Sequence, residues 1–482
     1  MRNQTRRPEF DRMRAAALLR VLRRAGVPPG PLVVLILAAV STAGVFLWPA
    51  PAARGVRMWT FARLHHQIYE GQVAEWNARH TPRVELSLLS IQAVEQRMLS
   101  AFLARTSAAE LIEAERRIAA RTFAGPLDSV GFVDLTDWLR EEGLDQAINP
   151  TSFSPWTSRG RIFGLPHDVH PVMLGYRADL IEAAGIDVSR IETWDDFVRV
   201  LRPMLAERDA EGRPRHFLLN LWETHGEVIE LLVLQAGGAL FDDSGHPTLN
   251  QATHARVIAQ IVSWCAGPGR IAADAPYFAA SGNRLLLDGY VLASFVPDWM
   301  CNIWRYEIPQ LAGKVKLMPL PAWTPGGART SVWGGTMLGI SRSANDPRGL
   351  WEFAKYLYLS PQMARELYVR GDIVTPVRTL WSDQIFDQAD AFFSGQAKGR
   401  MYLNLAPSVP ARSSSPFGAI ASARLQDAVV RLAAYARREK RYDIDDLLPE
   451  AQRLLEEAQV EVSRHVARNV FIGEGARKAA TR

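Results

Sequence analysis

The segment Phe163-Gly-Leu-Pro-His-Asp-Val-His-Pro-Val-Met-Leu-Gly-Tyr-Arg-Ala-Asp-Leu-Ile-Glu-Ala-Ala-Gly-Ile-Asp187 constrains the fold more than any other part of the chain. A Gly-Leu-Pro turn opens it, and a short polar loop, His167 to His170, follows. The apolar run from Val172 to Tyr176 is too short for a helix and is predicted as a buried strand. Ala178 to Ala184 is predicted as a helix that Gly185 stops. A polar loop feeding a buried strand is where a two-lobed α/β protein places ligand contacts, outside the ends of its strands.

The rest of the chain repeats this alternation. Its 482 residues are too many for one core and imply two or more domains. Val56 to Phe61, Val84 to Leu89 and the short Glu110 to Ile112 read as strands, separated by helices over Ile68–Arg79 and Ala93–Leu103. That alternation predicts a mainly parallel sheet covered by helices on both faces. Thr136 or Asp137 caps one later helix, and Thr193-Trp-Asp-Asp-Phe197 starts another with Thr193 as cap. Glu227–Gln235 reads as a buried helix ended by Gly237-Gly238. Tyr290–Val296 is an apolar strand that delivers Pro297-Asp298-Trp299 at its C-terminal end. Val315–Leu320 and the Gly-rich Trp333–Ile340 read as strands. Gly349–Leu359, Leu425–Ala434 and Leu447–Arg468 read as helices.

The charge is unevenly placed. The sequence pI is 9.3, which hints at a nucleic-acid partner. Yet residues 1–54 hold nine arginines and only Glu9 and Asp11, leaving 47 basic and 49 acidic side chains in the remainder. A nucleic-acid protein keeps its basic patch on the folded part, so none is expected here. Residues 1–30 read as an Arg-rich cytoplasmic leader, and 31–48 as an uncharged run at the lower limit of length for spanning a bilayer. This is one N-terminal hydrophobic helix, either a signal peptide or a signal-anchor holding the protein in the inner membrane. Ala50-Pro51-Ala52 offers a weak cleavage site, and no cysteine lies near it to carry a lipid. Residues 471–482 read as a disordered tail.

Motifs for catalysis are absent. His167-x-x-His170 has metal-ligand residue types but sits in a loop before a proline, and no HExxH, Walker A or GxGxxG motif occurs. Gly339-Ile-Ser341-Arg-Ser343 lacks the last glycine of a nucleophile elbow. Asp195-Asp196 and Asp242-Asp243 fall at a helix start and in a turn, positions that explain them. Cys265 and Cys301 have no CxxC spacing and read as two buried thiols, with pairing as the alternative. These features imply no enzyme, no metal and no cofactor.

Aromatics supply the positive signal. Of 14 tryptophans, Trp138 and Trp194 are accounted for by packing at helix starts, whereas Trp59, Trp222, Trp299 and Trp333 fall at strand ends or in adjacent loops. A sugar presents apolar C–H faces rimmed by hydroxyls, so its site needs aromatic platforms beside hydrogen-bonding side chains. Trp222-Glu223 and Asp298-Trp299 place an aromatic next to a carboxylate, and His65-His66 follows the first strand.

Seven motifs in order then resemble one family. Trp59-Thr-Phe61, Trp76-Asn77, Gly160-Arg-Ile-Phe-Gly-Leu-Pro166, Tyr176-Arg-Ala-Asp-Leu180, Thr193-Trp-Asp-Asp-Phe197, Gln235-Ala-Gly-Gly238 and Pro361-Gln-Met are similar to motifs of the extracellular solute-binding proteins of bacterial ABC importers, in particular the sugar-binding family that includes the maltose-binding proteins. Ala108-Ala-Glu110 departs from the Pro-Asp of many relatives, which puts Glu110, Glu113 and Arg117 in doubt as contacts. The resemblance implies a two-lobed periplasmic-binding-protein type II fold, each lobe a mainly parallel sheet flanked by helices. It places lobe 1 at 56–171 and 322–370, and lobe 2 at 172–321 and 371–470. It implies a monomer in the periplasm that closes on a carbohydrate and delivers it to the transmembrane subunits of an ABC permease. Trp59, Phe61, His65, Asp168, His170, Trp222, Glu223, Asp298, Trp299, Trp333 and Gly334 are the expected cleft residues. The alternatives are a membrane-tethered periplasmic glycoside hydrolase, or a binding protein for a phosphorylated polyol or for a sensor.

Overall fold

The computed structural model describes residues 29–47 and 55–471. Residues 1–28, 48–54 and 472–482, which hold most of the expected leader over 1–30, the Ala50-Pro51-Ala52 site and the tail, lie outside the described residues. Pro29–Leu47 is a helix and forms a unit of its own. Its 19 residues rise about 28 Å. Among the described residues no helix is long and apolar enough to cross a membrane. The expected transmembrane segment over 31–48 is thus not supported among the described residues.

From Gly55 onward the chain builds two five-stranded sheets. In the first, the strands run in the order Val84–Leu88, Val56–Thr60, Leu111–Glu115, Thr336–Ile340, Leu165–Pro166. The first three are parallel, as helix-linked strands must be, and Thr336–Ile340 joins them antiparallel. In the second, the order is Val315–Pro319, Val172–Arg177, Val291–Pro297, Phe217–Asn220, Ala272–Ala273. Val291–Pro297, Phe217–Asn220 and Ala272–Ala273 are parallel, whereas Val172–Arg177 runs antiparallel to both of its neighbours. The sheets are thus mixed. The antiparallel strands are those that flank the two crossings between sheets, Pro166 to Val172 and Pro319 to Thr336, because a chain arriving from the other lobe enters from the opposite end.

The local signals explain most elements. Thr193 and Asp196 form the reciprocal capping box of helix Trp194–Leu201. For helix Thr136–Glu141 the side-chain acceptor is instead Asp134, which takes the Thr136 amide at 3.0 Å, so neither Thr136 nor Asp137 is the cap. Val172–Arg177 is buried along its whole length, which is why it reads as a continuous apolar run and not as an alternating one. Gly175 within it faces Trp304, whose Cζ3 would stand 2.7 Å from any Cβ placed there. Helices Gly418–Glu439 and Ile444–Ala467 bury Leu425, Leu432, Leu447 and Leu455 in the same core as the second sheet. Helices Pro347–Leu359 and Pro361–Gly371 pack on the first sheet through Trp351, Leu357 and Leu367. Cys265 and Cys301 are free and buried, and burial pushes both thiols up.

Candidate functional site

The loop His167–His170 lies on the first crossing and is buried with it. His170 Nδ1 is 2.7 Å from Asp298 Oδ1, and its Nε2 is 2.9 Å from Asp168 Oδ2. Asp298 begins helix Asp298–Glu307 at the end of a second-sheet strand, and its Oδ2 accepts the Val374 amide at 2.8 Å. His167 Nδ1 lies 3.2 Å from Asp168. Burial disfavours a charged His170, but the carboxylates of Asp168 and Asp298 outweigh it and raise its pKa to about 10. Asp168 is held well below the usual carboxylate range against its own burial, chiefly by His170. Carboxylate, imidazolium and carboxylate therefore form a charged stitch between the crossing and the second lobe. His170 adopts φ 54°, a left-handed conformation that lets its ring enter this position. Gly334 on the second crossing has φ 106°, and a Cβ there would stand 2.8 Å from His170 Cδ2 and 3.0 Å from Trp299 Nε1.

Beside this stitch lies an aromatic wall. Trp222 follows strand Phe217–Asn220, Tyr277 and Phe278 follow Ala272–Ala273, and Trp299 follows Val291–Pro297. All three are C-terminal ends of parallel strands. Trp222 stacks on His225 with centroids 4.4 Å apart and planes 4° from parallel. Phe278 stacks on Trp299 at 6.1 Å and 14°. Trp333 from the second crossing meets Tyr277 at 5.1 Å, His225 at 5.4 Å and Trp299 at 6.0 Å, each edge to face. Trp299 Nε1 donates to the Trp333 carbonyl at 3.0 Å, which fixes the indole. Phe278 is 58 % exposed and Trp222, His225, Tyr277 and Trp299 are partly so. Burial lowers His225 to a pKa of about 4, so its imidazole is neutral, and its Nδ1 lacks a partner.

A small cavity adjoins the crossings, lined by Ser152, Ser154, Trp156, Asp168, Gly334 and Arg412 among others. Its volume of about 20 Å³ holds one water, so the two lobes meet closely here.

Comparison with known proteins decides the family. Residues 64–364 match the family described as bacterial extracellular solute-binding protein. The chain belongs to this family. An arabinooligosaccharide-binding protein of Halalkalibacterium halodurans is 23 % identical over 344 residues, covering 70 % of this chain and 74 % of the relative. A protein of the same description from Bacillus subtilis is 23 % identical over 315 residues, covering 64 % and 70 %. Among solved structures, the sugar-binding protein MalE from Xanthomonas citri superposes with a TM-score of 0.67 at 18 % identity, covering 86 % of this chain and 99 % of that one. A binding protein from B. animalis subsp. lactis in complex with beta-1,6-galactobiose gives 0.62 at 17 % identity, covering 86 % and 98 %. These likenesses show the two-lobed fold.

Within this solute-binding protein the expected cleft residues separate into groups. Asp168, His170, Asp298, Trp299, Trp333 and Gly334 come together at the crossings, with Trp222 in the adjoining wall. Asp168 Oδ2 and Asp298 Oδ1 are engaged with His170, and Asp298 Oδ2 takes the Val374 amide, so both carboxylates stitch the crossing. His65 packs against His167 of the crossing loop, ring centroids 4.4 Å apart, and its Nδ1 is 3.0 Å from Glu113 Oε1, in a buried cluster where Glu113 also accepts from Thr60 at 2.6 Å, Tyr69 at 2.8 Å and Tyr358 at 3.0 Å. Burial opposes ionisation of Glu113, but His65 and its other donors hold the pKa down to about 2. Trp59 and Phe61 pack half-buried against the core of Val94, Met98, Ile112 and Phe132. Glu223 turns away from the wall to pair with Arg437 of the C-terminal helices. The sequence reading missed His225, Tyr277 and Phe278. The signal available for them was position, since each lies within a few residues of the end of a parallel strand.

Proposed function

We propose that this solute-binding protein captures an uncharged carbohydrate, with an oligosaccharide of pentose or hexose units as the ligand class, and presents it to the permease of an ABC importer. The aromatic wall of Trp222, His225, Tyr277, Phe278, Trp299 and Trp333 carries the reading. Its rings display faces at the C-terminal ends of three parallel strands, where open α/β sheets bind ligands. Sugar C–H faces stack on such rings, and the neutral His225 supplies a hydrogen-bonding nitrogen without adding charge. Two cations beside the crossings, Arg116 and Arg412, are already neutralised by Glu227 and Glu230, which argues against a phosphorylated polyol. The names of the two arabinooligosaccharide-binding relatives make that sugar class the first to test.

In this reading lobe 1 comprises 56–171 and 322–370, and lobe 2 comprises 172–321 and 371–470. The lobes close around the ligand as a hinge, and ligand favours the closed form only through contacts that both lobes make to it. The arginines ahead of residue 25 and the uncharged run after them act as an export signal that delivers the folded part outside the cytoplasm. The test is a thermal-shift and calorimetric screen of the protein against arabino-, malto- and galacto-oligosaccharides, inorganic phosphate, glycerol phosphate and amino acids. Stabilisation by a sugar class, abolished in Trp299→Ala, is the expected result. Silence across every sugar with a response to phosphates or amino acids refutes the ligand class, and release of shorter sugars from an oligosaccharide refutes the binding-protein reading.

A further inference from the structure

Adjoining the aromatic wall, a cluster of charged side chains joins the two lobes. Arg116 directly follows strand Leu111–Glu115 of the first sheet. Its Nη2 lies 3.1 Å from Glu227 Oε2 and 3.2 Å from Glu230 Oε2, both on helix Gly226–Gln235 beside the second sheet. Arg117 pairs with Glu227 as well. From the other side, Arg412 Nη2 lies 3.2 Å from Glu230 Oε1 and 3.5 Å from Glu227 Oε2, and its Nη1 donates to the Gly334 carbonyl at 3.0 Å. The loop carrying Arg412 leaves the second-lobe core and touches the first lobe. The Arg412 amide donates to Ser154 Oγ at 3.0 Å, and the Ser414 hydroxyl bonds the Thr157 carbonyl.

Three features make this cluster a poised contact and not a permanent weld. Its members come from opposite lobes, so hinge opening separates Arg116 and Arg117 from Glu227 and Glu230. It is mostly dry when closed, the side chains of Arg116, Glu230 and Arg412 being 11 %, 5 % and 3 % exposed. Removing such charges from water costs nearly as much as their attraction returns. And the Nε atoms of Arg116 and Arg412 are buried without a hydrogen-bond partner, Arg116 Nε having only Glu115 Oε1 at 3.9 Å, so the closed form leaves two donors unsatisfied. The closed and open arrangements are therefore finely balanced, and the charges that close the lobes can each be rehydrated when they part.

We infer that Arg116, Arg117 and Arg412 with Glu227 and Glu230 form an electrostatic clasp that draws the lobes together in the absence of ligand, so that lobe closure depends on ionic strength although the proposed ligand is uncharged. The open cluster is solvent-exposed and is screened by salt, whereas the Debye length falls from about 10 Å at 0.1 M to about 3 Å at 1 M. Salt also stabilises the separated charges of the open form. Both effects shift the population away from closure as salt rises.

The test uses the full chain without ligand, carrying a donor and acceptor dye at Glu70→Cys and Asp243→Cys, one on each lobe, with single-molecule energy transfer as the readout. Both positions are exposed, and Cys265 and Cys301 are buried. The wild-type protein populates the high-transfer closed form at low salt and loses it toward about 1 M NaCl. Glu227→Gln/Glu230→Gln populates the open form at both salt concentrations and no longer responds. Arg117→Gln, on the more exposed rim, shows a weakened salt response and keeps the buried pairs as a safeguard against misfolding. A wild-type distribution unchanged by salt overturns the inference, and so does a folded double variant as closed and as salt-sensitive as the wild type. No sugar enters the experiment, so its failure leaves the carbohydrate reading standing.

Discussion

Replacing Glu113 by Gln tests the buried cluster that fastens the first strand to the first sheet. The carboxylate accepts from Thr60, His65, Tyr69 and Tyr358, and is fully buried. In an unfolded chain it titrates near its ordinary value of 4.5, and in the folded protein near about 2. Between those values the unfolded chain binds the proton and the folded one does not. Stability from this group is therefore complete above about 4.5 and is lost as pH falls through about 2. At about 1.36 kcal/mol per pH unit the full contribution is about 3 kcal/mol. Glu113→Gln removes the charge and turns an amide N–H₂ toward hydroxyl or imidazole donors, so the loss at pH 7 is about 3–5 kcal/mol. Guanidinium unfolding, followed by tryptophan fluorescence and circular dichroism, reads the gap between wild type and variant at each pH. That gap narrows by about 2 kcal/mol on going from pH 7 to about pH 3, because the wild type loses what the variant never had. A gap that stays constant across this range refutes the assignment of Glu113 as an ionised hub.

Three further outcomes follow from the site. Trp299→Ala weakens oligosaccharide binding by about 1.5–3 kcal/mol, read by calorimetry, because it removes both a stacking face and the ring against which Phe278 rests. Gly334→Ala lowers the melting temperature, at a cost of about 1–3 kcal/mol, since alanine must hold φ 106° with its Cβ 2.8 Å from His170; a melting temperature equal to wild type removes the case for a steric requirement there. His170, raised to about 10, stabilises the fold fully below its unfolded pKa of about 6.5 and less as pH rises toward 10. The wild-type protein therefore loses more stability between pH 7 and 9.5 than His170→Gln does in chemical denaturation, and equal losses contradict the imidazolium.

Some of the site was legible because its residues are local to a strand end. Trp222, Trp299 and Trp333 each follow or precede a strand readable from its apolar run, and all three reach the wall. Thr193 announced its helix through Asp196 three residues on, and the capping box is present. Other positions were legible only as residue types. His65 and Glu223 stand at strand ends with polar side chains, but their partners are Glu113 and Arg437, far along the chain and invisible to spacing. Asp168 and His170 were read as free ligand groups because nothing near them announces Asp298, which lies 128 residues away from His170.

By itself the sequence determined the alternation of strands and helices, the capped starts, the glycines that stop or admit close approach, and through seven ordered motifs the family. Those are local consequences of hydrophobic period, backbone freedom and side-chain hydrogen bonding within a few residues. The tertiary structure alone decided which polar groups neutralise one another. Glu113 with His65 and Tyr358, His170 between two aspartates, and Arg116 and Arg412 around Glu227 and Glu230 each bring together distant parts of the chain. A charge buried away from water must find an opposite charge or donors in the folded packing, and only the packing says whether an aspartate at a strand end is left for a ligand or already taken.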